Sequence, residues 1–297
     1  MNSIKQLPPS WWKHSSSAWN DIEQFFLEYD HSDNIKEKES NAHFKKVHWH
    51  AISTGRSNHS YRFSGLRRKL FIQISNRSNA QFLPYEKVNS LNEIMPSSEY
   101  AKLSPWLVET FYQSKEVRIE KWFESESLDL NLNRNKNVIE KLAKSLAELH
   151  QAKTAKLPNF DLERHLKKYQ KIALNKDKNK ELTSSINSCV SDAILKLKSY
   201  QPGSLCHYDL NLHNILINRN EMAIKIIDWE YVCLGDPILD VTAIINNFKL
   251  VNEYETFFIS SYRQHFHKST KIDFSDKKLS DMKLLNQHIF QLWEYGQ

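Results

Sequence analysis

The chain has 297 residues, 40% of them hydrophobic and 26% charged, with a formal net charge of +6. That is long enough to bury a sizeable core, as one large domain or two lobes, and the composition is that of a soluble globular protein. Basic residues are interspersed with acidic ones, so no dense basic stripe points to nucleic acid, and no long apolar run points to a membrane span. The three cysteines are odd in number and lack C-x-x-C spacing, which argues against a zinc site or disulfide framework and fits a reducing, cytoplasmic setting. Cys206 and Cys233 sit in apolar surroundings and read as core thiols. The opening MNSIKQLPPSWWKH has no apolar signal core.

In chain order, residues 1–46 read as an N-terminal helical extension. Pro8-Pro9 and the Trp11-Trp12 pair are expected to dock on the body, and Ile22, Phe25, Phe26 and Tyr29 recur at helical spacing from Ala18 to Tyr29. Packing explains these aromatics better than a ligand cage. Three strands follow, at His48–Ile52, Ser60–Phe63 and Leu70–Ile74. The turn Gly55-Arg56-Ser57-Asn58 offers backbone N–H groups and polar side chains to an anion, or is a plain hairpin turn. Leu83–Met95 reads as a helix, and Trp106–Glu109 and Val117–Phe123 as further strands. Asn137–His150 is amphipathic, with Val138, Leu142, Leu146 and Leu149 at helical spacing. Leu162–Tyr200 reads as two helices around a Lys-rich stretch, a solvated face. Val241–Phe248, Glu253–Phe266 and Leu279–Tyr295 read as helices.

The chemistry is concentrated between Ser204 and Asp240. Asp209 follows Leu205 and Cys206, Asn214 precedes Ile215-Leu216-Ile217, and Asp228 follows Ile224, Ile226 and Ile227. A carboxylate at the end of a buried strand-forming run is costly unless it has a partner. His207-Tyr208-Asp209-Leu210-Asn211-Leu212-His213-Asn214 matches the pattern H-R-D-L-x-x-x-N with Tyr208 in place of Arg, and Asp228-Trp229-Glu230 falls where D-F-G stands. Phosphoryl transfer needs such a set: one carboxylate to orient the substrate hydroxyl, and a second with an amide oxygen to hold Mg²⁺. A pair of Asx turns would explain one of these residues but not the whole set.

On CHYDLNLHN and IIDWEYVCLGDPILD, with Gly235-Asp236-Pro237 followed by Asp240, the chain resembles the aminoglycoside phosphotransferase and choline kinase superfamily, nearest its choline/ethanolamine kinase and bacterial thiamine kinase branch. The resemblance covers most of the chain after about Val47. It implies an α+β, two-lobed protein-kinase-like fold: a small antiparallel β-sheet lobe at 47–122, a mainly helical large lobe at 123–297, and ATP between them. It implies Asp209 as catalytic base, His207 as brace of its loop, and Asn214 and Asp228 as Mg²⁺ ligands. Ser57 and Asn58 would hold phosphate oxygens. Gln73 stands where kinases place a Lys against the α- and β-phosphates, a departure from the pattern. Glu86 would be the helix-borne acid of that missing ion pair, and Glu120 to Trp122 the adenine hinge, read by backbone groups. Trp229, Tyr231 and Trp293, with acids such as Glu230 and Asp236, would serve a cationic acceptor, partly through cation–π contacts, or the rings are ordinary core aromatics.

The sequence therefore predicts a cytoplasmic, ATP- and Mg²⁺-dependent kinase, monomer or homodimer, with no nucleic-acid or membrane partner. The acceptor is expected to be a small cationic alcohol, thiamine or choline ahead of ethanolamine. Two other readings stay open. An aminoglycoside phosphotransferase would need an acidic pocket, whereas the last helix ends in the aromatic run from Phe290 to Tyr295 with a single acid. A non-catalytic nucleotide-binding regulatory module, motivated by Gln73, would bind nucleotide without turnover.

Overall fold

A computed structural model describes residues 12–32, 48–52, 58–65, 68–75, 91, 94–114, 116–125, 134–153, 157, 159–218, 220–267 and 272–296. Ser57, Glu86, Pro8-Pro9, Trp11, Gly55-Arg56 and most of the helix expected at Leu83–Met95 lie outside the described residues. The chain forms two compact units, Met1–Gln81 with Val108–Glu124, and Phe82–Leu107 with Ser125–Gln297.

The first unit is a five-stranded antiparallel sheet, order β1-β2-β3-β5-β4, built from β1 (His48–Ile52), β2 (Asn58–Gly65), β3 (Arg68–Ser75), β4 (Thr110–Gln113) and β5 (Val117–Lys121). Strand alternation sorts its side chains. Leu70, Ile72 and Ile74 of β3 and Val117 and Ile119 of β5 are buried on one face, where Ala18, Ile22 and Phe25 of helix α1 (Ser16–Ser32) complete a hydrophobic cluster. The N-terminal helix is thus part of this unit's core. Glu116 accepts hydrogen bonds from the Ser15 and Ser17 hydroxyls at the helix start. Ser60, Arg62, Gln73, Arg118 and Glu120 occupy the alternate positions, away from that cluster.

The second unit holds α2 (Ser97–Leu103), α3 (Lys136–Gln151), α4 (Leu162–Lys176), α5 (Thr183–Lys196), α6 (Pro237–Asn247), α7 (Glu253–His265) and α8 (Asp276–Tyr295). Two small antiparallel ladders sit among them: β6 (Ser204–Cys206) with β9 (Cys233–Gly235), and β7 (Ile215–Asn218) with β8 (Ala223–Ile226). One apolar cluster joins α3, α6, α7 and the β7–β8 hairpin, and a second joins α4, α5, α8 and the β6–β9 pair. The loops between these ladders carry the polar motif. Asn135 caps α3, whose Val138, Leu142, Leu146 and Leu149 are buried as the spacing predicts. Helix α6 begins before Val241 because Asp236 caps it and Pro237 opens it.

The strand expected at Trp106–Glu109 is corrected. Ser104–Trp106 form a 3₁₀ turn, and the strand begins at Thr110. Pro105 has no N–H to give a ladder, and the Trp106 indole donates to the Glu148 carboxylate instead. Cys189, Cys206 and Cys233 are all buried free thiols. Among the described residues no helix is long and apolar enough to cross a membrane.

Candidate active site

Strand β6 is buried along its whole length, and its last residue hands the chain directly to His207, which is itself fully buried. The imidazole Nε2 donates to the Ile227 carbonyl at 2.8 Å, and Nδ1 accepts the Asp209 N–H at 3.3 Å. Both ring nitrogens are thus used by a neutral imidazole. Burial lowers the His207 pKa, against the opposing pull of Asp240. The ring also lies 4.6 Å from that of Trp229. His207 ties the Asp209 loop to the strand that leads into Asp228.

Asp209 is half-buried. Its Oδ1 accepts from the Asn211 amide at 3.2 Å and its Oδ2 from the Asn214 amide at 2.9 Å. Burial, then the Asp228 carboxylate, push the Asp209 pKa up to about 7; Glu230 adds to this and the two amides oppose it. The Asn214 nitrogen also donates to the Asp209 carbonyl at 2.8 Å. Its amide is therefore oriented with nitrogen toward Asp209, which leaves the carbonyl oxygen as the end it can offer to a cation. The Asn214 backbone carbonyl accepts from Ile227 N at 2.9 Å, so Asn214 stands beside the run into Asp228. Asp228 is left-handed (φ 65°, ψ 62°), a conformation uncommon for a non-glycine residue and one that clusters at functional sites. A neutral amide oxygen and a carboxylate are hard ligands, and this donor set fits Mg²⁺.

Sequence reasoning gave Asp240 no role in the site, yet the loop hangs on it. Asp240 is 1% exposed. It accepts from His207 N at 2.6 Å, from Tyr208 N at 2.9 Å and from His150 Nε2 at 3.2 Å. His150 Nδ1 meets the Tyr262 hydroxyl at 2.8 Å. Asp240 thereby holds Tyr208 in a left-handed conformation (φ 69°), immediately before Asp209. The signal in the sequence was an acid flanked by Leu239 and Val241 on a helix that is buried all round.

The residues assigned to a cationic acceptor divide. Glu230, half-buried in the 3₁₀ turn Trp229–Tyr231, acts electrostatically on Asp209. The phenols of Tyr231, expected at the acceptor, and of Tyr169, which the sequence did not single out, feel both Asp209 and Glu230, and burial pushes their pKa values up. Trp229 donates its indole N–H to the Ile226 carbonyl at 3.1 Å. Trp293 lies beside Phe290, ring centroids 6.1 Å apart, on the α4–α5–α8 cluster. Asp236 is corrected: it is 2% exposed and fully engaged. It accepts from Ile238 N at 2.9 Å as the α6 cap and from Gln201 N at 2.7 Å, and it pairs with the buried Lys278 ammonium. Lys278→Met is expected to lower stability by about 3–5 kcal/mol, because a buried carboxylate loses its cation; urea unfolding at neutral pH checks this.

In the first unit, Asn58 opens β2 and Gln73 lies mid-strand on β3, between Ser60 of β2 and Arg118 of β5. The Glu120 carboxylate is buried, 3.2 Å from Arg118 Nε. The Arg62 guanidinium lies 4.8 Å over the Trp122 ring. The expectation that backbone groups of Glu120 to Trp122 read adenine is corrected in part. Lys121 N donates to the Glu109 carbonyl at 2.9 Å and Trp122 N to the Lys69 carbonyl at 3.1 Å, so the sheet already uses these two donors.

A five-stranded antiparallel unit, and a helical unit whose short ladders present Asp209, Asn214 and Asp228, define the α+β protein-kinase-like class that the sequence predicted. The sequence pattern of the phosphotransferase enzyme family matches residues 112–273, more than half of the chain, and the chain belongs to that family. The fructosamine kinase family matches residues 29–174. Protein LicA of Haemophilus influenzae is 31% identical over 90 residues, 30% of this chain, and the match spans about a third (33%) of that relative's length. Among solved structures, the choline kinase LicA of Streptococcus pneumoniae superposes with a TM-score of 0.65 at 18% identity over 90% of each chain. An ethanolamine kinase of Plasmodium vivax superposes with a TM-score of 0.63 at 16% identity, over 96% of this chain and 83% of that one. At such identities the likeness establishes the fold.

Proposed function

We propose that this phosphotransferase is an ATP-dependent kinase that phosphorylates the hydroxyl of a small cationic alcohol. The observation that carries this reading is the hydrogen-bonded set Asp209–Asn214 beside Asp228, with Asp209 poised near neutrality. A base with a pKa near the working pH combines availability with proton affinity. The acceptor O–H gives its proton to the Asp209 carboxylate as its oxygen bonds to the γ-phosphorus. The bond from that phosphorus to the bridging oxygen breaks, and ADP leaves. Asn214 and Asp228 would hold Mg²⁺, which when bound neutralises polyphosphate charge. The remainder is positioning: His207 and Asp240 fix the loop so that Asp209 meets the hydroxyl in one geometry.

An acid and two aromatic rings that act on Asp209 or feel its charge (Glu230, Tyr169 and Tyr231) suit a cation better than an anion or a neutral sugar. The structural neighbours that are choline and ethanolamine kinases support the same class. The test is ADP release from Mg-ATP across choline, ethanolamine, thiamine and an aminoglycoside. Turnover on one of the first three supports the proposal. Turnover confined to the aminoglycoside replaces it with antibiotic phosphorylation. ATP binding without turnover on any acceptor favours a regulatory module.

A further inference from the structure

We propose that Arg118 supplies the phosphate-binding cation that Gln73 cannot, by relocating it to the neighbouring strand. This rests on the kinase reading above and names the group that would hold its nucleotide's phosphates. Gln73 occupies the mid-strand position of β3 where that fold places a lysine. The β3–β5 register sets Arg118 directly opposite Gln73. Directly opposed residues of an antiparallel pair share a face, with Cβ atoms roughly 4.5–5.5 Å apart. The burial pattern agrees: Ile72, Ile74, Val117 and Ile119 are buried in the core, and Gln73 and Arg118 alternate with them. A charge on Arg118 therefore starts from almost the same place as one on residue 73.

The guanidinium is paired with Glu120 but retains an unsatisfied donor. The Arg118 side chain is 16% exposed, and its Nε lies 3.2 Å from Glu120 Oε1. That N–H is nonetheless misaligned and has no hydrogen-bond acceptor. Arg62, opposite Phe71 on the same face, has a buried Nε in the same condition. Two buried cationic N–H donors without acceptors on one sheet face are costly unless a ligand satisfies them, and a guanidinium fork matches phosphate oxygens. Glu120, two residues along the strand from Arg118, orients it as a helix-borne acid orients a third-strand lysine. Lys69 is a poorer candidate: it is half-exposed, paired with Glu124, and a full four residues from Gln73.

The experiment is titration of wild type, R118Q and the charge-relocated R118Q/Q73K with Mg-ATP, alongside KM for ATP and for the acceptor. R118Q is expected to weaken ATP binding and raise its KM by about 10- to 100-fold, the range of one lost charge-assisted contact, with the acceptor KM unchanged. R118Q/Q73K is expected to bind ATP within about threefold of wild type, because the cation returns to the adjacent strand. Wild-type ATP affinity in R118Q overturns the assignment. Failure of Q73K to restore binding in a folded double variant also overturns it and leaves Arg118 a structural partner of Glu120. If R118Q alone does not fold, the double variant decides by the same threefold criterion. Wild-type protein that binds no ATP overturns the kinase reading itself, a result distinct from either of these.

Discussion

Asp209→Asn is expected to slow phosphoryl transfer by about 10²–10⁴-fold while raising the protein's stability at and above neutral pH. The two effects have one cause. Asp209 is a carboxylate confined beside Asp228 and Glu230, and burial and their charge push its pKa up to about 7. Its ordinary value is near 3.8, so between about pH 4 and 7 the folded state binds a proton that the unfolded state has released. Stability therefore falls as pH rises through that window, and above it the folded protein bears the full cost of the ionised group. Asparagine removes the charge and keeps the shape at the loss of one of the two amide hydrogen bonds, so above pH 7 the variant should be the more stable protein, by about 1–3 kcal/mol, and melt at a higher temperature. Activity of the wild type should run the other way and rise with pH through about 7, because only the ionised carboxylate can receive the hydroxyl proton. Thermal melts and a pH–rate profile check both halves. A variant that is less stable than wild type at pH 8 would mean that Asp209 is held by favourable bonds rather than poised as a base.

Asp240→Ala is expected to cost about 3–5 kcal/mol, and Asp240→Asn to leave a folded but slow enzyme. Three donors converge on this carboxylate, the N–H groups of His207 and Tyr208 and the ring of His150. Alanine leaves all of them buried without an acceptor. Asparagine keeps one oxygen and turns its NH₂ toward a donor, so one backbone N–H is lost and the left-handed Tyr208 relaxes. Asp209 follows it, and a shift of the order of 1 Å in a catalytic group costs about 10²-fold in rate. Because Asp240 lies beneath the loop and touches no substrate, kcat should fall with the ATP and acceptor KM values nearly unchanged. Urea unfolding with steady-state kinetics tests this. A normal kcat in Asp240→Asn would remove Asp240 from any positioning role.

The candidate catalytic motif was legible because each of its polar residues abuts a strand-forming run, and the spacing of Asp209, Asn214 and Asp228 can be read without knowledge of the fold. The long helices were legible for a similar reason: α3 carries its apolar stripe and its cap in consecutive residues. Asp236 was misread because it sits next to the motif. The run Gly-Asp-Pro before an apolar segment is also a cap with proline at the first helical turn, and that local role, sealed by Lys278 from α8, prevailed. Asp240, Tyr169 and Arg118 could not be assigned because their roles depend on partners distant in sequence. His150 reaches Asp240 from α3, and Arg118 meets Gln73 only through the β3–β5 register. At the expected hinge, pairing continues through Trp122 and uses the Lys121 and Trp122 N–H groups, two of the backbone groups expected to read the base.

The most direct test of the central claim is transfer of label from γ-labelled ATP, with Mg²⁺ and an amino-alcohol acceptor, by wild type and by folded, ATP-binding Asp209→Asn. Labelled phosphorylated acceptor is expected from the wild type and essentially none from the variant. Equal transfer by the two proteins, or wild-type label appearing only as inorganic phosphate, would contradict it.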